Sequence, residues 1–282
     1  MTTLFDVINE IKFALKYAML TFRKVHHLEI ITEDGIVYSG DTFNSTLCKV
    51  LYLTNRYEPS IMMYLKKTLK EGDIFIDVGA NEGVFSIMAG KLVGQQGKVY
   101  SIEPLQRNVS ILKKNVLKNK LNNVIICQVA AGDEKKDITF QDVKYGNMLG
   151  GHNNKVISML SLIPGMVNLI KVKQVRLDEL INEPLNKIKL IKIDTERYEP
   201  YVLKGISTWL NSKSSFDFLI ELKPNKSKKI INLFLNEYGY QGYMHRVDSV
   251  VFNDKISWEK LNENCKIQKN VLFTKKKFLF NN

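Results

Sequence analysis

Three observations in the 282-residue sequence predict a doubly wound, mostly parallel α/β fold. Short apolar runs alternate with stretches of helical periodicity along most of the chain, the order that right-handed strand–helix–strand crossovers produce. One run, 73–78, ends in an acid and a glycine loop, Asp77-Val78-Gly79-Ala80-Asn81-Glu82-Gly83. A second, 98–102, is followed by Glu103, twenty-six residues after Asp77, about the length of one unit in a nucleotide-binding half.

The elements follow in order. Leu4, Ile8, Ile11, Leu15, Ala18 and Phe22 recur at helical spacing with Lys12 and Lys16 between them, which predicts an amphipathic helix. Its apolar stripe suits packing on the main domain; the alternative is a membrane surface or a partner, with peripheral membrane contact through residues 4–24. Apolar runs at 28–31 and 36–38 flank Thr32-Glu33-Asp34-Gly35, and an Asp-Gly pair suits a tight hairpin reversal. Residues 1–56 therefore read as an N-terminal extension. After Pro59 come a helix over 60–70, the buried parallel strand 73–78, a helix over 83–92, strand 98–102, helix 105–119 and strand 124–129. Strand 189–193, helix 198–210, strand 216–221 and helix 226–238 continue the alternation. Between 146 and 170 the pattern breaks at Gly146, Gly150, Gly151, Asn153, Asn154, Pro164 and Gly165, which predicts an irregular loop within a main domain of 57–278.

Composition bounds the function classes. A 45% hydrophobic content supplies a core, and six prolines without a Gly/Ser-rich stretch argue for one main domain. Cys48, Cys127 and Cys265 have neither zinc-ligand spacing nor an even count, and the four histidines are scattered, so no metal centre and no disulfide framework are expected. Against that expectation stands one pair, Asp194 and Glu196, whose carboxylates could hold a cation together. No apolar run reaches the roughly 18 residues of a spanning helix, and the expected location is cytoplasmic or peripheral at a membrane surface. The net charge of +12 invites a phosphate-rich partner, but the lysines are spread along the chain rather than clustered.

The glycine loop carries the chemistry. Gly79 admits backbone angles closed to other residues and lets a ligand approach the main chain, while Gly83 permits close packing at a helix start. The dinucleotide fingerprint G-x-G-x-x-G fails, because Asn81 and Val84 hold its second and third glycine positions. Glu103 is placed to accept both hydroxyls of a ribose. Asp194 ends a later strand on the side where open α/β sheets bind ligands; with Glu196, Lys192 and His152 it is a candidate general base, Asp194 first among them. Glu196 and Glu199 also suit the start of a helix, where carboxylates complement its dipole.

The loop Asp77-Val78-Gly79-Ala80-Asn81-x-Gly83, then Glu103-Pro104 with Asn108 five residues beyond Glu103, resembles the FkbM family of S-adenosylmethionine-dependent methyltransferases. Later blocks match too: 175–180; Ile191-Lys192-Ile193-Asp194-x-Glu196-x-x-Glu199 with Gly205; and Ile220-Glu221-Leu222-x-Pro224. The resemblance covers roughly residues 60–278. It implies a class I, Rossmann-like domain with a seven-stranded sheet whose last strand, 270–274, is antiparallel. It also implies that Asp77 and the backbone from Gly79 to Gly83 face the methionine portion of the cofactor and Glu103 the ribose, with Asn81 and Asn108 among the cofactor-binding residues. Asp133, after Ala130-Ala131-Gly132, would face the adenine edge or simply serve a turn.

The chain departs from the family pattern where Arg197 stands in place of a glycine and Thr195 in place of an aliphatic residue, which touches turnover more than cofactor binding. The activity implied by the resemblance is O-methylation of a hydroxyl on a glycan, lipid-linked sugar or secondary metabolite. Two other readings stay beside it. A nucleic-acid methyltransferase is suggested by charge, but the chain lacks the Asn/Asp-Pro-Pro-aromatic motif at 194–197 and a Pro-Cys nucleophile; nucleic acid is therefore not the expected partner. A non-catalytic S-adenosylmethionine-binding scaffold is suggested by Arg197 and the basic first helix.

Overall fold

A computed structural model describes residues 15–16, 28–42, 45–143, 167–212, 214–222, 227–247, 256–261 and 270–276. The hairpin expected near the start is present: β1 (Leu28–Ile31) pairs antiparallel with β2 (Val37–Gly40), with Ile31 opposite Val37. Helix α1 (Thr46–Thr54), which periodicity did not reveal, is capped by the Ser45 hydroxyl accepting from Cys48 N at 2.9 Å. Helix α2 (Pro59–Thr68) starts on a proline, whose fixed φ suits a first turn. Ile30, Ile36, Tyr38, Leu47 and Leu51 from this part of the chain share one core with Val84, Phe85 and Met88 of the main domain.

The central units follow the expected order: β3 (Ile74–Val78), α3 (Val84–Val93), β4 (Lys98–Ile102), α4 (Gln106–Lys118) and β5 (Val124–Cys127). The chain then makes a small sheet from β6 (Ala130–Ala131), β7 (Lys136–Val143) and β8 (Val167–Val175), ordered β6-β8-β7. Residues 167–170, expected to be irregular, thus belong to β8, paired with β7; the rest of the expected loop from 146, including His152, lies outside the described residues. Next come α5 (Leu177–Leu180), β9 (Ile188–Ile193), α6 (Glu199–Lys204), α7 (Ser207–Leu210), β10 (Asp217–Glu221), α8 (Ser227–Asn232) running into a π-helical turn (Leu233–Glu237), β11 (Gln241–Val247), β12 (Ile256–Lys260) and β13 (Asn270–Thr274). The single helix expected over 198–210 is divided at Gly205, where a Cβ would lie 1.9 Å from the Gly132 carbonyl oxygen.

The main sheet runs β12-β11-β13-β10-β9-β3-β4-β5 among the described residues. Strands β3, β4, β5, β9 and β10 pair in parallel, and β13 lies antiparallel between β10 and β11. This is the expected class I methyltransferase arrangement, with β12 added as an eighth strand at one edge. After β3 the chain steps to β4 and β5 on one side and returns to β9 on the other, so the crevice beyond the carboxyl ends of β3 and β9 is a topological switch point. One core packs on each face: Phe75, Val99 and Leu190 point to the side of α3, Ile76, Ile191 and Phe218 to the side of α6 and α7.

Leu15 and Lys16 are helical, and Lys16 Nζ donates to Asn55 Oδ1 at 3.2 Å. The rest of the expected first helix lies outside the described residues. No described helix is long and apolar enough to cross a membrane.

Candidate functional site

Strand register sets a polar row into the core side of the sheet. Ser101, Asp77 and Lys192 are neighbours across β4, β3 and β9, on the face that otherwise presents Phe75, Val99 and Leu190. Ser101 Oγ donates to Ser86 Oγ at 2.8 Å, and Ser86 Oγ donates to Asp77 Oδ2 at 2.6 Å. Asp77 is fully buried, and its Oδ1 has no hydrogen-bond partner. Burial raises its pKa, with Lys192 and the Ser86 hydroxyl pulling the other way.

Beyond Asp77 the chain turns through two left-handed glycines, Gly79 (φ 81°) and Gly83 (φ 90°), with Asn81 also left-handed at φ 51°. A Cβ on Gly79 would lie 1.9 Å from the Asp194 carbonyl oxygen, and one on Gly83 2.0 Å from Leu112 Cδ1. The loop is thus pressed against β9 on one side and α4 on the other. Gly79 N and Ala80 N both donate to Ile102 O, at 2.9 and 3.0 Å, which brings the end of β4 beside it. There Glu103, 4% exposed, accepts from Asn81 N at 2.9 Å on Oε2, and from Leu105 N at 3.0 Å and Asn108 Nδ2 at 3.1 Å on Oε1. Burial pushes its carboxyl up to about 7, against the effect of these donors.

The other half of the crevice stands on β9 and β10. Lys192, 2% exposed, donates to Asp194 Oδ2 at 2.9 Å and lies 4.8 Å over the Phe85 ring. Burial opposes its charge, but Asp194, Asp77 and Glu58 outweigh burial and raise its pKa. Carboxylate oxygens of Asp194, Glu196 and Glu221 all lie within 4.8 Å of one another. Glu58, just before α2, accepts from Asn270 Nδ2 at 3.1 Å, and Asn270 faces Glu221 in the sheet. Burial, followed by the charges of Glu58, Asp194 and Glu221, pushes the Tyr57 hydroxyl well up.

A profile of the Methyltransferase FkbM domain matches residues 77–241, more than half of the chain. The chain belongs to the FkbM methyltransferase family. It is an S-adenosylmethionine-dependent methyltransferase of the class I fold. Among curated proteins it is similar to a cobalt-precorrin-6B C(15)-methyltransferase (decarboxylating) of Sulfurisphaera tokodaii, at 30% identity over 154 residues, 54% of this chain and 78% of that protein. A ribosomal protein L11 methyltransferase of Bacillus cytotoxicus is 41% identical over 61 residues, 22% of this chain and 19% of that protein. Among solved structures, the TYW2 protein of M. jannaschii in complex with AdoMet aligns over 89% of this chain and 86% of its own, at 15% identity and a TM-score of 0.46.

The acceptor groups of this FkbM methyltransferase fit its cofactor. S-adenosylmethionine carries two cations, an ammonium and a sulfonium, and a ribose diol that donates hydrogen bonds. The chain offers the unsatisfied, buried Asp77 Oδ1 and a Glu103 carboxylate whose Oε2 holds one main-chain donor, leaving acceptor capacity. Of the residues singled out in the sequence, Asp77, Gly79, Asn81, Gly83, Glu103 and Asn108 are brought together at the ends of β3 and β4, and Asp194 and Glu196 meet at the end of β9. Asp133 is anchored by its carbonyl, which accepts from Arg176 Nη1 at 3.0 Å beside the small sheet, and its Oδ1 is buried without a hydrogen-bond partner.

The turn after Asp194 explains the family's glycine. Glu196 (φ 52°) and Arg197 (φ 82°) are both left-handed, a conformation that costs a non-glycine residue about 1–3 kcal/mol unless the surroundings hold it. What holds it is Glu199, whose Oε1 accepts from Thr195 N at 3.2 Å, Thr195 Oγ1 at 3.3 Å and Arg197 N at 3.0 Å. Glu199 therefore ties the turn, while Glu196 joins the carboxylate group. Sequence reasoning missed Tyr57, Glu58 and Asn270 as site residues; the signals for them were the proximity of Tyr57-Glu58-Pro59 to a helix start and the place of Asn270 at the start of the expected last strand.

Proposed function

We propose that this methyltransferase acts on a hydroxyl of a glycan, lipid-linked sugar or secondary metabolite, with Asp194 as the general base. The observation that carries the reading is the position of Asp194: its backbone closes on Gly79 of the glycine loop, and its side chain stands at the mouth of the switch point, oriented by Lys192. When bound, S-adenosylmethionine supplies an electrophilic methyl on a positively charged sulfur. Asp77 and the Gly79–Gly83 backbone would hold its methionine portion, Glu103, oriented by Asn108, its ribose, and Asp133 its adenine. The acceptor hydroxyl must lose a proton as the O–C bond forms, and Asp194 takes it, with Glu196 beside it for acceptor contact. The rest is alignment, which by itself lowers such barriers by about 7–11 kcal/mol.

A second reading, methylation at carbon, has support from the Sulfurisphaera relative, whose name specifies C(15) as the methylated position. Calorimetric titration of S-adenosylmethionine and S-adenosylhomocysteine, against an Asp77→Ala, Glu103→Ala double variant, tests the cofactor site: binding is expected in the wild type and lost in the variant. Transfer of labelled methyl to glycan and lipid acceptors by Asp194→Asn tests the base. Retained cofactor binding with turnover reduced at least about a hundredfold is expected of a lost general base. Unchanged turnover would remove Asp194 from that role and favour an acceptor that needs no deprotonation.

A further inference from the structure

One buried carboxylate in the glycine loop takes no part in the reading above. Glu82 is 2% exposed and its side chain turns inward, away from the switch point, to partners far back in the chain. The Tyr38 hydroxyl of β2 and the Ser45 hydroxyl at the cap of α1 both donate to Oε2, the second at 2.8 Å. Asn115 of α4 donates from Nδ2 to the Glu82 carbonyl at 3.4 Å, and its Oδ1 accepts from Ser39 N at 2.8 Å. Tyr38, Ser45 and Asn115 are all buried, and Gly40 leaves the space the Tyr38 ring fills, since a Cβ there would lie 2.6 Å from Tyr38 Cε1.

A buried carboxylate is costly unless its hydrogen bonds are made. Here they are made with direction, which an apolar side chain of similar size lacks. The peptide they fix is the one that matters: Asn81 and Gly83 on either side of Glu82 are both left-handed, and Asn81 N is the donor to Glu103 Oε2. A continuous path of hydrogen bonds and one residue of backbone thus runs from Tyr38 and Ser45, through Glu82, to the carboxylate that faces the ribose.

We propose that Glu82 is a positioning residue of the S-adenosylmethionine site, and that β2 and the cap of α1 are built into that site through it. The inference rests on the reading that the 79–83 loop holds the cofactor. Loosening Glu82 lets the 81–83 backbone relax and unseats Glu103, so cofactor affinity falls out of proportion to stability.

The test is calorimetric titration of the full chain with S-adenosylmethionine, with thermal unfolding of each variant. Glu82→Ala is expected to weaken binding by about ten- to a hundredfold and Tyr38→Phe by about five- to tenfold. Glu82→Gln, whose amide oxygen still accepts from both hydroxyls, recovers most of the affinity. Tyr38→Phe adds nothing in the Glu82→Ala background. Leu51→Ala, a buried α1 residue outside the network, lowers the unfolding temperature while leaving affinity near wild type. Wild-type affinity in both Glu82→Ala and Tyr38→Phe, or equal weakening by Leu51→Ala, overturns the proposal. If Glu82→Ala does not fold, Tyr38→Phe against Leu51→Ala decides it. A wild-type chain that does not bind the cofactor overturns the cofactor reading itself, and this inference with it.

Discussion

At the ends of β3 and β4, Asp77 and Glu103 are buried and tied into place by main-chain and hydroxyl donors. At the ends of β9 and β10, Asp194, Glu196 and Glu221 are half-buried and stand near a turn with two successive left-handed residues, neither of them glycine. The first half leaves its backbone no freedom, because glycines there face atoms of another strand or helix within 2.0 Å of a would-be Cβ. The second absorbs an arginine at a position that asks for glycine. A ligand common to a whole family can be held by a fixed half, and a variable acceptor calls for a half that tolerates change.

The largest effect that contrast implies is at Gly79. Alanine there puts a methyl against the Asp194 carbonyl, which can yield only by separating β3 from β9. Gly79→Ala is expected to cost about 4 kcal/mol or more and to abolish cofactor binding, read by urea unfolding and calorimetry. A variant of normal stability would break the contrast.

An intermediate effect follows from Glu103. Its pKa is raised from the ordinary value of 4.5 to about 7, so the folded, unliganded chain holds this proton more tightly than the unfolded one. The stability this contributes is complete below the unfolded value and is lost as pH rises through about 7. Ribose hydroxyls donating to the ionised form reverse that preference, so affinity for S-adenosylmethionine is expected to rise by about tenfold from pH 6 to pH 8, as the ionised fraction of a group titrating at about 7 rises from about a tenth to about nine tenths. Glu103→Gln flattens the profile; a flat profile in the wild type would show that the carboxylate does not meet the ribose in its ionised form.

The smallest effect belongs to the variable half. Arg197→Gly relieves a left-handed arginine and is expected to stabilise the chain by about 1 kcal/mol, measured by thermal unfolding. An unchanged or lower stability would show that the contacts of the Arg197 side chain outweigh its backbone cost. A changed acceptor preference would sharpen the contrast by placing Arg197 at the acceptor.

The fixed half is legible in the sequence, since a glycine at a left-handed turn and an acid at a strand end are local facts. The helices around β3 and β4 were placed within a residue or two for the same reason, their apolar spacing being continuous. Helix α1 was not, because Leu47, Cys48, Val50, Leu51, Tyr52 and Leu53 form a nearly continuous apolar run without helical periodicity, and Tyr38 and Ser45, with six residues between them, gave no hint of a shared partner. Strands β7 and β8 were missed because their side chains alternate around Lys and Asp instead of forming an apolar run. At the ends of β9 and β10 the sequence pairs Asp194 with Glu196 but does not bring in Glu58, which meets Asn270 across 212 residues of chain, a distance no window of periodicity spans.

The sequence by itself determined the α/β order, the glycine loop, Glu103 and the family, since these rest on local backbone geometry and on spacing within one unit. Tertiary structure alone decided that Ser101, Asp77 and Lys192 form one polar row, that Glu82 is held from the N-terminal segment, and that Arg197 is left-handed. Those depend on strand register and on which distant segments share a core, and register is fixed only when the whole sheet closes.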